Sequence, residues 1–582
     1  MSAQQLITDH LDLWTGAVTH KSGTGRGAPG KNGKIELTGI KKLRELILEL
    51  AVRGKLVEQD PSDEPASVLL ERVAEEKARL VKEGKIKKPR KLPPLTDANK
   101  PFSLPERWEW TQIEAVGHDW GQKEPDRVFS YIDVSSIDNI KGIIDQPEAV
   151  SPSNAPSRAR KKVRQNTVVY STVRPYLKNI AAIDKKIEPE PIASTAFAIV
   201  SPLSGIPAKY LVHYLRSPAF VRYVESVQTG IAYPAINDKQ FFSGALPVPP
   251  LQEQHRIVEK VDELMALCDR LEQQVGDQLE AHEVLVDTLL DALTRSADAA
   301  ELAEHWARVA EHFDTLFTSE ASIDKLKQTI LQLAVMGRLV EQDPNDEPAS
   351  VLLEKMAEEK TKLVGEGKIK KLRRLSTPPI DEVPFELPHN WQWCRLPDIG
   401  ELARGKSKHR PRNDPSLYQG GTTPLVQTGD VARADRKITT HTAQYNEIGV
   451  AQSKLWPAGT LCITIAANIG DTGILEFEAC FPDSVVGFTP FSPGLKNEYF
   501  EYFLRTAKRY LEEFAPSTAQ KNINLDVLQH ILVPLPPTNE LHKIVNKLDK
   551  LMALCDQLKV RLGEADETRA QLAETVVEQT VS

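Results

Sequence analysis

Reading base edges in a DNA groove takes amide and guanidinium side chains that match donor and acceptor patterns, with lysines and arginines nearby to hold phosphates. This 582-residue chain carries such sets twice. In its first half, residues 158–164 supply Arg158, Arg160, Lys161, Lys162 and Arg164; residues 173–179 supply Arg174, Lys178 and Asn179; and residues 229–239 supply Tyr233, Asn237 and Lys239. In its second half, residues 404–412 supply Arg404, Lys406, Lys408, Arg410 and Arg412; residues 467–470 supply Asn468; and residues 517–524 supply Gln520, Lys521 and Asn522. One charge cluster by itself is equally a solvated face. Matched clusters in both halves favour nucleic acid as the ligand.

The parts that catalysis needs are missing from the sequence. There is no Asp/Asn-Pro-Pro-Tyr/Phe motif to hold a flipped adenine, no His-Glu-x-x-His, and no glycine-rich loop following an apolar strand. Gly25, Gly30 and Lys31 spell most of a phosphate loop, but Asn32 stands where a Ser or Thr belongs. That segment reads as a flexible basic stretch ahead of the first helix, with docking onto a partner left open. Five cysteines form no Cys-x-x-Cys pair, so a zinc site does not fit, and Cys268 and Cys555 occupy matching helical places suited to small buried thiols. His255 and His542 also match, on a helix, and read as partly packed rather than catalytic.

What positions the two sets is a duplicated frame. Residues 50–71 (LAVRGKLVEQDPSDEPASVLLE) return as residues 333–354 with three substitutions, and PFSLPERWEW from Pro101 returns as PFELPHNWQW from Pro384, at a constant offset of 283. A second echo closes each half: LPVPPLQEQHRIVEKVDELMALCDRL from Leu246 and LVPLPPTNELHKIVNKLDKLMALCDQL from Leu532. The sequences between the echoes share almost no identity. Two different inserts therefore sit in one repeated frame, unlike a solenoid.

Leu43, Leu46, Ile47 and Leu50 predict a helix ended by Gly54; a second helix starts near Asp63 and Pro65 and ends near Gly84. The basic run that follows, residues 85–91, recurs after Gly367 and either complements a helix end or touches phosphates. The inserts alternate β-branched runs (167–170, 196–200, 461–465, 485–488) with Pro, Gly and Ser turns, and each has one amphipathic helix, 210–227 and 499–514. Ile257, Val261, Leu264, Cys268, Leu271 and Val275 alternate spacings of four and three, and Ile544, Leu548, Leu551, Cys555, Leu558 and Leu562 repeat the pattern. This is a coiled-coil seam, whose first copy extends to about Thr294, a rod on the order of 60 Å.

The expected fold is thus α+β, two mixed α/β globules separated by long antiparallel coiled-coil helices with an internal pseudo-two-fold repeat. Its segments are an extension (1–36), frame helices (37–100), insert 1 (101–250), a central helix with the second frame copy (251–383), insert 2 (384–537) and a closing helix (538–582). With 41% hydrophobic and 26% charged residues, each insert can bury a core. The net charge of −8 resides mostly in the frame, since the inserts are near neutral, which points the frame helices towards protein. No apolar run reaches membrane-spanning length and the start has no basic signal-peptide end, so a cytoplasmic protein is expected.

This ordered set resembles the DNA specificity subunit of type I restriction-modification systems over nearly the whole chain. The A-V-x-G-[KR]-L-V blocks, the L-P-x-x-W-x-W opening of each insert, the P-x-P-P-L-x-E-Q exit at 247–254 and the helix after it all match that pattern. The second exit departs from it, with Thr538-Asn-Glu-Leu541 where the first has Leu251-Gln-Glu-Gln254. The double frame and the Glu-Pro-Ala-Ser-Val-Leu-Leu-Glu block look most like the EcoAI-like (type IB) branch. The resemblance implies a non-catalytic subunit of a methyltransferase/endonuclease. Each insert would be a target recognition domain reading half of a bipartite site, and the helices would set the spacer and dock two DNA adenine methyltransferase subunits. It implies double-stranded DNA and restriction/translocase subunits as further partners, with S-adenosylmethionine, ATP and Mg in those partner chains and no cofactor here. A coiled-coil scaffold for two protein partners, or a self-contained nuclease or methyltransferase, are the competing readings.

Overall fold

Leu43, Leu46, Ile47 and Leu50 share one face at helical spacing and fold as α1 (Thr38–Val52), with that face buried. Gly54 follows at φ +69°, where a Cβ would stand 2.6 Å from the Pro105 ring, so the turn needs glycine for both conformation and space; Gly337 repeats this against Pro388. Next comes α2 (Ala66–Lys82). Asp63 does not cap it: Pro65 holds the N-cap position, Ala66 N donates to Arg107 O at 3.0 Å, and the Asp63 carboxylate accepts from Arg256 Nη2 at 2.6 Å.

The computed structural model describes residues 5, 8–20, 35–145, 147–230, 232–369, 383–409, 411–466, 469–513 and 523–581. They fall into two units, residues 1–279 with 564–582, and residues 280–563.

In the first unit the insert holds two four-stranded sheets. One orders Ile180–Ala182, Val168–Ser171, Phe197–Pro202 and Gly117–His118; the other orders Glu148–Val150, Phe129–Ile132, Pro191–Ser194 and Ala159–Lys162. The helix expected over 210–227 is two helices, α3 (Ala208–Arg216) and α4 (Pro218–Val227). Pro218 has no N–H to continue α3, and Ser217 caps the new start by accepting from Phe220 N. The insert opens and closes on the same ribbon, Glu109–Gln112 against Ala245–Val248, with Trp110 opposite Pro247. The two repeated motifs that flank the insert are therefore partners. From that ribbon runs α5 (Leu251–Arg295), 45 residues, whose Ile257, Val261, Leu264 and Cys268 are buried with Leu43, Ile47 and Leu50 of α1.

The second unit repeats the plan with α6 (Ala299–Glu311), α7 (Glu320–Val335) and α8 (Ala349–Gly365) as its frame. Its insert has a five-stranded sheet, ordered Gly400–Arg404, Val485–Pro490, Leu461–Thr464, Thr472–Leu475 and Lys437–Ile438, and a four-stranded one. Its helix α9 (Asn497–Glu513) contains no proline and is unbroken. Gln392–Arg395 pairs with Leu532–Leu535, placing Trp393 opposite Pro534, and α10 (Thr538–Val581) follows. Helix α5 begins in the first unit and ends in the second, where Val286, Leu290 and Leu293 are buried; α10 does the reverse, burying Ala573 in the first. Burying each of Val286, Leu290 and Leu293 contributes about 1.5–3 kcal/mol. The mixed α/β inserts, the long seam helices and the internal repeat are as the sequence implied. Among the described residues no helix is long and apolar enough to cross a membrane, and all five cysteines are free and buried.

Candidate nucleic-acid interface

In the first unit the structure draws two of the three sequence clusters together. Segment 172–179 is zipped to 229–236: Arg174 N donates to Pro234 O at 2.8 Å, Ile236 N donates to Thr172 O at 3.0 Å, and Val173 bridges Ala235. The Arg174 guanidinium lies 5.0 Å over the Tyr233 ring, with both side chains exposed, so cation and aromatic face are presented as one surface. Lys239 is exposed beside it in sequence. Asn237 is exposed but already employed, since its side chain accepts from Gln240 N at 2.9 Å and caps the helix Asp238–Phe242.

The other basic residues divide by burial. Arg158 is exposed, Lys162 is half-buried, and Arg164 is exposed over the Trp120 ring at 4.2 Å. Arg160 pairs with Glu124 at 3.3 Å, and Lys178 pairs with Glu45 of α1 at 3.5 Å. Lys161 is different: it is buried, 3.4 Å from Asp119 and 3.7 Å from Asp238. Strand alternation explains this, because Ala159–Lys162 turns every second side chain inward. Asn179 is likewise buried, its carbonyl accepting from Ser171 N. As placed, neither presents its side chain to a surface ligand.

In the second unit Arg404, Lys406, Lys408 and Arg412 are all exposed. Arg412 pairs with Asp483 at 2.8 Å. Gln452 Oε1 holds the backbone N–H groups of Lys408 and His409 at 2.6 and 3.1 Å, which fixes the loop that carries the lysines. His409 Nε2 meets Asp414 at 2.7 Å; with the Ser416 backbone N–H, the larger cause, it holds that carboxyl down at about 2. Gln452, His409 and Asp414 are supports that charge-cluster reading passed over. Arg410, Asn468, Gln520, Lys521 and Asn522 lie outside the described residues, as do Gly25, Gly30, Lys31 and Asn32.

Beneath each insert is a polar joint to its frame, and its Trp–Glu, Tyr–carbonyl and Lys–carbonyl bonds recur at matching positions. Trp108 Nε1 donates to Glu253 Oε2 at 3.0 Å, and Trp391 to Glu540 at 3.0 Å. Tyr210 Oη donates to Pro247 O at 2.8 Å, and Tyr499 to Pro534 O at 2.6 Å. Lys77 Nζ donates to Gly117 O at 2.8 Å and to Glu114 O, and Lys360 to Pro397 O at 2.7 Å. Asp262 on α5 receives Lys209 and His213; its counterpart Asp549 on α10 receives Arg436 and Tyr502. Burial raises the Glu253 carboxyl and pushes that of Glu540 up to about 7.

One joint is not repeated. Glu49 of α1, buried, accepts from Ala219 N at the start of α4 (2.9 Å) and from Arg222 (2.6 Å) and Arg53 (3.0 Å). The matching positions on the second copy are Gln332 and Met336, and Gln332 is exposed. The three-residue difference in the repeated block thus includes one half of a lost ion pair.

The arrangement presents cationic and aromatic loops on rigid scaffolds, which suits binding a polyanion. Among the described residues no group of three His, Cys, Asp or Glu side chains is placed to hold a metal ion. His542 is half-buried and its Nε2 donates to Gly494 O at 2.8 Å; His255, expected to be partly packed, is exposed because its seam neighbours occupy the other helix face.

Comparison with known proteins bears on the ligand. Residues 150–281 and 388–564 match the type I restriction modification DNA specificity domain. The chain is 38% identical, over 100% of both lengths, to the type I restriction enzyme EcoAI specificity subunit of Escherichia coli. It is 38% identical over 99% of both to the EcoEI specificity subunit of the same organism. A solved chain from work described as "Structural basis underlying complex assembly and conformational transition of the type I R-M system" is similar in fold, with TM-score 0.52, 23% identity, and coverage of 83% of this chain and 99% of that one.

Proposed function

Because the chain belongs to the DNA specificity subunits of type I restriction-modification systems, in the EcoAI-like branch, we propose that each insert reads one half of a bipartite DNA site while the frame sets the gap and docks two methyltransferase subunits. The chain itself performs no chemistry. It directs adenine methylation, or cleavage when restriction subunits join, to the sequence its inserts select. S-adenosylmethionine, ATP and Mg belong to those partner chains.

The single observation that carries this reading is the duplication of the joints. The Trp–Glu, Tyr–Pro and Lys–carbonyl bonds recur in both units, while the surfaces they support carry different side chains. A common mount with two different faces suits two different half-sites, and two copies of one frame offer two equivalent docking surfaces. The exposed basic residues in both inserts favour DNA over a pure protein scaffold. Free buried cysteines support a reducing, cytoplasmic setting.

Selection of randomised DNA by the assembled complex, followed by sequencing, tests the reading. Two defined sequence blocks separated by a fixed, unspecified gap are expected. Recovery of a single continuous block, or of no preference, sinks it. Native mass measurement should show two methyltransferase copies per chain; one copy in a fully active complex overturns the docking half of the reading.

A further inference from the structure

Segment 172–179 is a braced tip. Its one-turn helix Pro175–Leu177 is bracketed by two non-glycine residues in left-handed backbone, Arg174 at φ 49° and Lys178 at φ 53°. Such geometry persists only where the surroundings hold it, and it concentrates at ligand-contacting sites. Here the surroundings do hold it: besides the zipper to 229–236, Asn139 Nδ2 donates to Leu177 O at 2.9 Å, Ser171 Oγ donates to Val173 O at 2.9 Å, and Pro175 is buried.

What the brace holds outward is apolar. Tyr176 is 50% exposed, Leu177 39% and Val173 41%, and Tyr233 beside them is 69% exposed. Isolated exposed apolar residues need no explanation, but four on two zipped loops, kept out of the core by fixed backbone, form a patch. The charge around it is positive. Arg174, and Lys141 on the loop that Asn139 ties to the tip, are exposed with no carboxylate within 4 Å among the described residues. The carboxylates nearby are occupied: Glu45 by Lys178 and Lys42, and Asp138 by the backbone N–H groups of Ile140 and Lys141. An apolar tip rimmed by free cations is complementary to stacked bases flanked by phosphates.

Resting on the reading of this insert as a DNA reader, we infer that Tyr176 and Leu177 form a wedge that enters a base step of its half-site, with Arg174 and Lys141 on the flanking phosphates. Apolar side chains inserted between base pairs unstack and kink the duplex. Pyrimidine–purine steps yield most easily, so the wedge selects for such a step at a position where no side chain reads a base edge. Neither Tyr176 nor Leu177 is needed for the fold, since both project from it.

The test uses the full chain assembled with its methyltransferase partner. After the site is selected and its methylated adenine identified, 2-aminopurine is placed in turn at every other position of the half-site that this insert reads, because a methyltransferase flips its target base and would brighten a probe there by itself. The wild-type complex should raise the probe's emission several-fold at one step, and Tyr176→Phe should keep that rise, because stacking needs the ring and not the hydroxyl. Tyr176→Ser with Leu177→Ser should abolish the rise and lower affinity for the selected site roughly tenfold, while assembly and binding to random DNA stay unchanged. A rise that survives the double substitution overturns the wedge. So does loss of partner assembly with an unchanged rise, which assigns the tip to protein docking. A wild-type complex that selects a site without any rise sinks the wedge alone; one that selects no sequence sinks the reader, and the wedge with it.

Discussion

Trp391 donates its indole N–H to Glu540 at 3.0 Å, at the joint where the second insert meets α10, and the carboxyl it reaches is buried with an ordinary pKa pushed up to about 7. Desolvation is the main cause; Asp346 adds to it, while Trp391 and Lys543 oppose it. A carboxyl raised in this way binds its proton more tightly in the folded state. Its contribution to stability is therefore greatest below the unfolded value of 4.5, falls as pH rises towards about 7, and is flat above. Glu540→Gln should remove that slope, so that the variant's unfolding free energy gains on the wild type's between pH 5 and 7 by on the order of 2 kcal/mol. Tryptophan fluorescence during urea unfolding at stepped pH reads it, and an unchanged difference across that window contradicts the protonated joint.

Glu49 and Gln332 are matched in the repeat but not in role. Glu49→Ala removes the buried acceptor of the Ala219 N–H and the carboxylate that Arg53 and the exposed Arg222 reach, at a cost of about 1–3 kcal/mol. Gln332→Ala, at an exposed helix position, should stay within about 0.5 kcal/mol. Equal losses from the two substitutions, measured by denaturant unfolding, contradict the asymmetry.

Lys406 and Lys408 are exposed on a loop pinned by Gln452. If they hold phosphates, Lys406→Ala with Lys408→Ala should weaken binding to every sequence alike and reduce the salt slope by about 2. Lys521→Ala with Asn522→Ala should do the opposite. It should relax the preference at one half-site by about 1–3 kcal/mol and leave the other half-site as selective as before. Binding titrations over a salt series, with selected and mismatched duplexes, separate the two outcomes. Relaxation of both half-sites by the second pair would make those residues structural.

The spacing between half-sites is expected to follow helix length. Since α5 and α10 both pass from one unit to the other, four residues should be inserted in both, after Gln274 and after Arg561. Each rod then grows by about 6 Å and keeps nearly the same face in phase. At about 3.4 Å per base pair, selection on random DNA should return the same half-sites with the gap widened by one or two pairs. An unchanged gap shows that the helices do not set it. Insertion after Gln274 alone should cost affinity instead, because Ala573 and its neighbours on α10 remain in the first unit's core.

By itself the sequence determined the duplicated frame, the two seam helices and the mixed α/β inserts, because all of these are written in local order: identity at a fixed offset, a four-and-three apolar spacing, β-branched runs between turns. It placed Gly54 and Gly84 at helix ends for the same reason. What it left open depends on contacts between residues far apart in the chain. Charge clusters could not show that Lys161 and Asn179 point inward, since burial is decided by which strand face meets the core. The pairing of the repeated Trp-rich and Pro-rich motifs into one ribbon, and the union of 172–179 with 229–236, are backbone hydrogen bonds across more than fifty residues that no periodicity records. Glu49 and Glu540 read as ordinary helix carboxylates until the tertiary structure removes their water and supplies Arg222 to one and Trp391 to the other. Desolvation is a property of the packed neighbourhood, so the strength of these joints was settled only when the chain closed around them.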